Sequence, residues 1–265
     1  MRIRATVATL SGALALSALA VPAAQADESI GDTKITNVTV NGGKDIVIGT
    51  SQAKKITFAV TATDPEGIRK ASGFLWHGPD YADLDGSIVF DTGVPPKCTE
   101  VDATTATCTV TVTADPNKNI YGNSLAGKWK AFAAAHGNPP AGQELGGKQT
   151  VDAYKSVSVK RAAKLTVNAS PEPVKKGGTI TVSGALTRAN WDTKKYAGYT
   201  QQPVQLQFKK KGASAYSAVK TVKSDAKGNL KTTVKASVDG TFRYVFAGTS
   251  TTPAVTSAGD AIDVR

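Results

Sequence analysis

The tightest constraint on this chain is a period of two. Along runs such as KITNVTV (34–40), KKITFAVTAT (54–63) and PVQLQFK (203–209), apolar and polar residues trade places, so alternate side chains project to opposite faces. A segment of this kind buries one face and wets the other. No segment sustains a long apolar period of 3.6, and Gly, Asp, Asn and Pro punctuate the runs at short intervals. The pattern predicts an all-β chain of antiparallel sandwiches with almost no helix.

The runs fall into two sets. The first set adds 69–77, 87–91, 105–114, 127–136 and 153–160 to the two early runs. TDPEG (63–67) is a turn, with Pro65 fixing φ and Asp64 bonding its own backbone. GNPPAGQELGGKQ (137–149) is too rich in Gly and Pro for a strand. The second set comprises 163–169, 178–186, 203–209, 216–223, 229–236, 240–248 and 255–264, and KRAAK (160–164) is the expected linker. This predicts tandem domains over 27–160 and 161–265.

Charge divides at the same point. Residues 27–160 carry 13 basic and 15 acidic side chains, whereas 161–265 carry 17 basic and 6 acidic. Any electrostatic partner therefore belongs to the second domain. Alternation places Lys231 and Lys235 opposite Leu230 and Val234, which reads as the solvated side of a sheet. Lysine on exposed strands also opposes edge-to-edge aggregation. The run 216–223 alternates less cleanly and is expected at an edge.

The N-terminus, MRIRATVATLSGALALSALAVPAAQADE, has a basic start, a short apolar stretch and the small residues Ala24 and Ala26 flanking Gln25. It predicts a secretory signal peptide over 1–26, cleaved after Ala26. No cysteine stands at that point to carry lipid. The C-terminal AGDAIDVR offers no hydrophobic tail, so no transmembrane anchor is expected. A secreted chain rarely meets nucleic acid, which leaves anionic wall polymer or polysaccharide as the partner class. Export also favours a disulfide between the only two cysteines, Cys98 and Cys108. Closing that short loop is worth about 2–3 kcal/mol.

SPEPVKKGGTITVSGAL, QPVQLQFKKKG, SDAKGNL and GTFRYVFAGT follow one another in an order that resembles bacterial immunoglobulin-like domains of exported actinobacterial proteins. KKITFAVTATDPEGI resembles the second strand and following turn of a related sandwich. The resemblance covers nearly the whole chain after the leader and implies two immunoglobulin-like folds, but it says little about function. Chains of this type are sometimes described as calcium-binding, which directs attention to the carboxylates.

Two candidate sites follow. Asp80, Asp83 and Asp85 precede Gly86 in an acidic loop (80–91) whose oxygens suit a hard cation. Their spacing does not fit an EF-hand register, and Asp115 would complete the set from a loop at the same end of the sandwich. Calcium is the one cofactor this pattern raises. The rival reading is a solvated acidic turn. The second candidate joins Lys194, Lys195, Lys209, Lys210 and Lys211 with Trp191, Tyr196 and Tyr199 into a groove for an anionic or sugar polymer. Trp76 and Trp129 lie within runs and are expected in the core. His77 and His136 end neighbouring antiparallel strands and should stand too far apart to share zinc. No nucleophile elbow, H-E-x-x-H helix or phosphate loop is present, so a non-enzymatic binding protein is the expected class.

Overall fold

The computed structural model describes residues 27–90 and 93–265. The leader expected over 1–26 lies outside the described residues. The first domain holds ten strands: β1 (Glu28–Ile30), β2 (Lys34–Val40), β3 (Ile46–Ile48), β4 (Lys54–Thr63), β5 (Ile68–His77), β6 (Gly86–Ile88), β7 (Lys97–Glu100), β8 (Thr105–Ala114), β9 (Gly127–Gly137) and β10 (Lys148–Arg161). One sheet has the order β2-β4-β8-β7. The other has the order β1-β10-β9-β5-β6, with β3 running parallel to β10. This is the division of strands between facing sheets that defines an immunoglobulin-like sandwich. Helix among the described residues is limited to two 3-10 turns.

The expected alternation is what fills the core. From β4, Ile56, Phe58, Val60 and Ala62 are buried, and from β9, Trp129, Ala131, Ala133 and Ala135 are buried opposite them. The small residues of β9 and Gly73 of β5 let the sheets approach around Phe58. A Cβ on Gly73 would lie 2.3 Å from both the Phe58 ring and the Phe132 carbonyl oxygen. Trp129 sits in the core, as expected, and its Nε1–H donates to the Leu125 carbonyl at 2.7 Å.

Trp76 corrects the other core expectation. Ala71 and Leu75 of β5 face inward, so Trp76 has outward parity. It is still only 2 % exposed. Tyr81 covers it edge-on at 5.7 Å, Lys130 lies 4.3 Å over its ring, and its indole N–H donates to the Asp152 carbonyl at 2.6 Å. Phe74 and Phe132 extend this small aromatic layer on the outer face of the sheet. Cys98 and Cys108 are paired across β7 and β8, forming the expected disulfide.

The second domain also holds ten strands: β11 (Ala163–Leu165), β12 (Asn168–Ser170), β13 (Thr179–Asn190), β14 (Lys195–Gly198), β15 (Pro203–Lys210), β16 (Ser217–Lys223), β17 (Asn229–Lys235), β18 (Gly240–Phe246), β19 (Val255–Thr256) and β20 (Asp260–Ile262). β13 is the hub of one layer, pairing with β11, β12, β14 and β17. The other layer has β15 and β18 at its centre, β16 on one edge and β19 with β20 on the other. A second core gathers Ile180, Val182, Leu206, Leu230, Phe242 and Tyr244. The Tyr244 hydroxyl crosses that core to donate to the Val182 carbonyl at 3.1 Å.

Two expectations at the junction change. The linker shrinks to Ala162, since β10 ends at Arg161 and β11 begins at Ala163. Ala162 is itself tied down, its N–H donating to Ile48 O and its carbonyl accepting from Ala189 N–H. The segment 188–200, between the expected runs 178–186 and 203–209, is not a plain connection but a β-hairpin made by the end of β13 and β14. The hairpin carries Ala189 and Trp191 into the first domain's core, so that core crosses Arg161. Trp191 is fully buried, and its indole N–H donates to the Gly49 carbonyl at 2.9 Å.

Two outcomes follow from this packing. Trp191→Ala should destabilise the whole chain by about 3–5 kcal/mol, because it empties a large buried site and strands an acceptor. Denaturant unfolding, read by separate probes in each domain, should show both transitions moving. The second concerns alkali. Burial raises Tyr244 from 10 to about 12. The folded chain therefore holds a proton that the unfolded chain releases, and stability falls as pH rises from about 10 to 12. The difference in unfolding free energy between wild type and Tyr244→Phe should shrink by up to about 3 kcal/mol over that window. Taking the difference cancels the opposite contribution of Arg161 and Arg188, whose guanidinium pKa values are lowered by burial.

Candidate functional site

The acidic loop and the loop after β8 do lie at one end of the first domain, where the Tyr121 hydroxyl donates to the Asp85 carbonyl. Their carboxylates do not converge. Asp80 Oδ1 accepts the N–H groups of Ala82 and Asp83, both at 2.9 Å, which folds the loop back on itself. Asp85 Oδ1 lies 2.5 Å from His77 Nδ1. Asp115 Oδ1 accepts the Asn117 N–H at 2.8 Å, and its carbonyl caps the N–H groups of residues 118, 119 and 120. Asp83 is exposed and separate. No group of three His, Cys, Asp or Glu side chains that could hold a metal occurs among the described residues. Asp91 lies outside them. A calcium ion needs several oxygens on one centre, and these carboxylates do not gather on one. The set does not fit calcium. His77 and His136 stand at opposite ends of the β5–β9 pair, where His77 faces Gly86 and His136 faces Lys70.

The groove proposed from Lys194 to Lys211 is also taken apart. Trp191 is in the interdomain core. Lys194 reaches back to the Pro116 carbonyl. Tyr196 packs against the first core and has Lys164 4.0 Å over its ring. Tyr199 is 9 % exposed and stacks edge-on against Phe246. Lys195 alone of that hairpin points freely into solvent. Lys209, Lys210 and Lys211 lie at the far end of β15, where Lys209 rests on Tyr216 at 5.1 Å and Lys211 pairs with Asp239 at 3.3 Å. An eight-residue strand separates the two groups, a span of roughly 26 Å. These residues form no single groove.

What does assemble is the row dismissed as the wet side of a sheet. β16 is the edge of one layer and β17 the edge of the other, and the two run along the same side of the domain. The Lys220 ammonium bridges them, donating to the Thr233 carbonyl at 3.0 Å. Lys220, Lys223, Lys231 and Lys235 are all exposed, with Lys227 on the turn between the strands. The one acid in that segment, Asp225, has its carboxylate held low by the N–H groups of Asn229 and Lys227. Among the described residues none of these lysines is in an ion pair. An open hollow of about 670 Å³ lies beside the row, lined by Lys223, Lys231, Asn168 and Ser183 together with the acid Asp225. Composition located this charge in the sequence. Only the pairing of β16 with β15 and of β17 with β13 puts it on one wall.

No protein-family model matches the chain, and no curated protein matches it. Solved structures that resemble it include the teleost fish polymeric immunoglobulin receptor ectodomain, at 14 % identity and a TM-score of 0.25 over 90 % of this chain and 98 % of that one. The D00–D0 region of intimin follows at 13 % and 0.27, covering 85 % and 99 %. The mouse nectin-like molecule 4 ectodomain follows at 13 % and 0.24, covering 90 % and 66 %. Scores of this size carry no argument about function. The strand order of each domain is what makes the chain a tandem of immunoglobulin-like sandwiches.

Melting curves recorded with millimolar calcium and with chelator should coincide. An ion present at 100 times its Kd would add about 2.7 kcal/mol, so a clear rise in melting temperature with calcium would restore the metal reading.

Proposed function

We propose that this chain is a secreted, non-enzymatic binding module that attaches to anionic cell-wall or extracellular polymer through its second domain. The observation that carries the reading is the unpaired lysine row on β16 and β17. Lys231 and Lys235 share a parity four residues apart on β17, so they present two charges about 13 Å apart along one line. On the neighbouring edge Lys220 and Lys223 have opposite parity, and Lys220 reaches across to the β17 backbone. A flexible polyanion meets such a wall without needing a shaped pocket, and each neutralised contact strengthens at low ionic strength. The hollow beside Asn168 and Ser183 adds hydrogen-bonding groups for neutral hydroxyls on the same polymer.

Co-sedimentation with a purified poly(glycerol phosphate) wall polymer, with uncharged dextran as control, tests the proposal across a salt series. Binding should weaken steeply with salt. Replacing Lys220, Lys223, Lys231 and Lys235 by Gln should remove most of it, at roughly 1 kcal/mol for each lysine near an anionic surface. Salt-insensitive capture, or capture unchanged in the quadruple variant, would reject the assignment.

A further inference from the structure

Two arginines meet at the domain junction without a carboxylate partner. Arg161 closes β10, and its guanidinium Nε–H donates to the Ala189 carbonyl at 2.6 Å. Arg188 comes from β13, one residue before Ala189 and directly across from Ala163. Its guanidinium lies 3.9 Å over the Tyr199 ring, and Nη1–H donates to Thr252 Oγ1 at 3.3 Å. The turn after β18 packs against the pair through Thr252 Oγ1 and the Thr251 carbonyl. Thr251 O accepts the Arg161 N–H at 2.9 Å, Thr249 Oγ1 lies 3.4 Å from the Tyr199 hydroxyl, and Thr249 and Thr251 touch through their side-chain oxygens.

Burial makes this arrangement unusual. Arg161 is only 8 % exposed, yet neither guanidinium is in an ion pair among the described residues. Burying a charge without a partner is costly, and here two like charges share one joint. Desolvation first, then the neighbouring Arg188, lowers Arg161 to about 10, while Asp192 opposes that shift. Asp192 is in no ion pair with either guanidinium, and its carboxylate oxygens accept the backbone and side-chain N–H groups of Asn123. The terminal nitrogens of Arg161 make no hydrogen bond, and no fully buried side-chain nitrogen among the described residues lacks one. The terminal N–H groups of Arg161 are thus not wholly enclosed and have no protein acceptor among the described residues.

We propose that Arg161 and Arg188, with the Thr249–Thr252 hydroxyls, form a site for a small tetrahedral oxyanion such as sulfate or inorganic phosphate. The planar forks of two guanidiniums match the oxygen spacing of such an ion, and hydroxyls of the turn donate to its remaining oxygens. Because Arg161 belongs to the first domain's last strand and Arg188 to the second domain, a bound ion would clamp the joint. The site is separate from the lysine row and does not depend on polymer binding.

The test uses the full chain without its leader. Sodium sulfate is titrated against sodium chloride at matched ionic strength, and the Nε–H resonances of the arginines are followed by NMR. Sulfate should produce saturable shifts at Arg161 and Arg188 that chloride does not. Arg188→Gln should raise the sulfate Kd at least tenfold, and Lys55→Gln, at an exposed first-domain lysine outside both sites, should leave it unchanged. If Arg188→Gln fails to fold, Arg188→Lys keeps the charge without the fork and should still weaken sulfate threefold or more. Shifts that never saturate, equal shifts with chloride, or wild-type affinity in the folded arginine variant would overturn the proposal.

Discussion

The insertion of Trp191 into the neighbouring core organises the molecule. A hairpin that belongs by strand pairing to the second sandwich delivers its largest side chain to the first. Polar contacts then lock the entry. The Trp191 N–H donates to Asn123 Oδ1, the Asn123 side-chain amide donates to Asn190 and Asp192, and Ala162 is pinned from both sides. With a single residue between β10 and β11, there is no slack for independent motion. Inter-domain contacts within a chain are often polar and permit movement, but here a buried indole with a satisfied N–H makes the contact part of a core. The relative placement of the two charge distributions is set at this point.

That rigidity gives meaning to the charge asymmetry. Lysines on an edge strand are a common device against sheet-to-sheet association, and β16 would qualify on that ground alone. The row extends onto β17, however, in a different layer. No carboxylate from the near-neutral first domain pairs with it among the described residues. The acid closest in sequence, Asp225, shapes the β16–β17 turn rather than neutralising the wall. Edge protection and polymer attachment thus draw on the same side chains. Buried arginines at the joint follow a different logic, because they sit where water is scarce and hydroxyls are dense.

Much of the fold was legible in the residue pattern, for a local reason. In β4 and β8, alternation runs unbroken for ten residues each, and both strands begin and end where the pattern does. Burial on one face and solvent on the other is a property of the segment itself. Short strands without that signature escaped notice: β3 is Ile-Val-Ile, and β7 surrounds Cys98 with polar residues. Trp76 is buried as its residue type predicts, while its parity beside Leu75 sends it to the outer face of the sheet. Trp191 did mislead, since polar neighbours in RANWDTKKYAGYT reflect a hairpin crossing between domains and not a solvated loop.

The sequence alone determined the class of structure, the cysteine pairing and the half that carries the positive charge. Each of these depends on neighbours along the chain or on composition. Tertiary structure decided which charges and rings share a surface. It separated Lys194 and Lys195 from the lysines at the far end of β15, spread the carboxylates of the acidic loop over local backbone donors, and joined Lys220 to Lys231 across two sheets. Residues distant along the chain become neighbours only through strand order and sheet packing, and a period of two specifies which face a side chain takes without specifying what lies across from it.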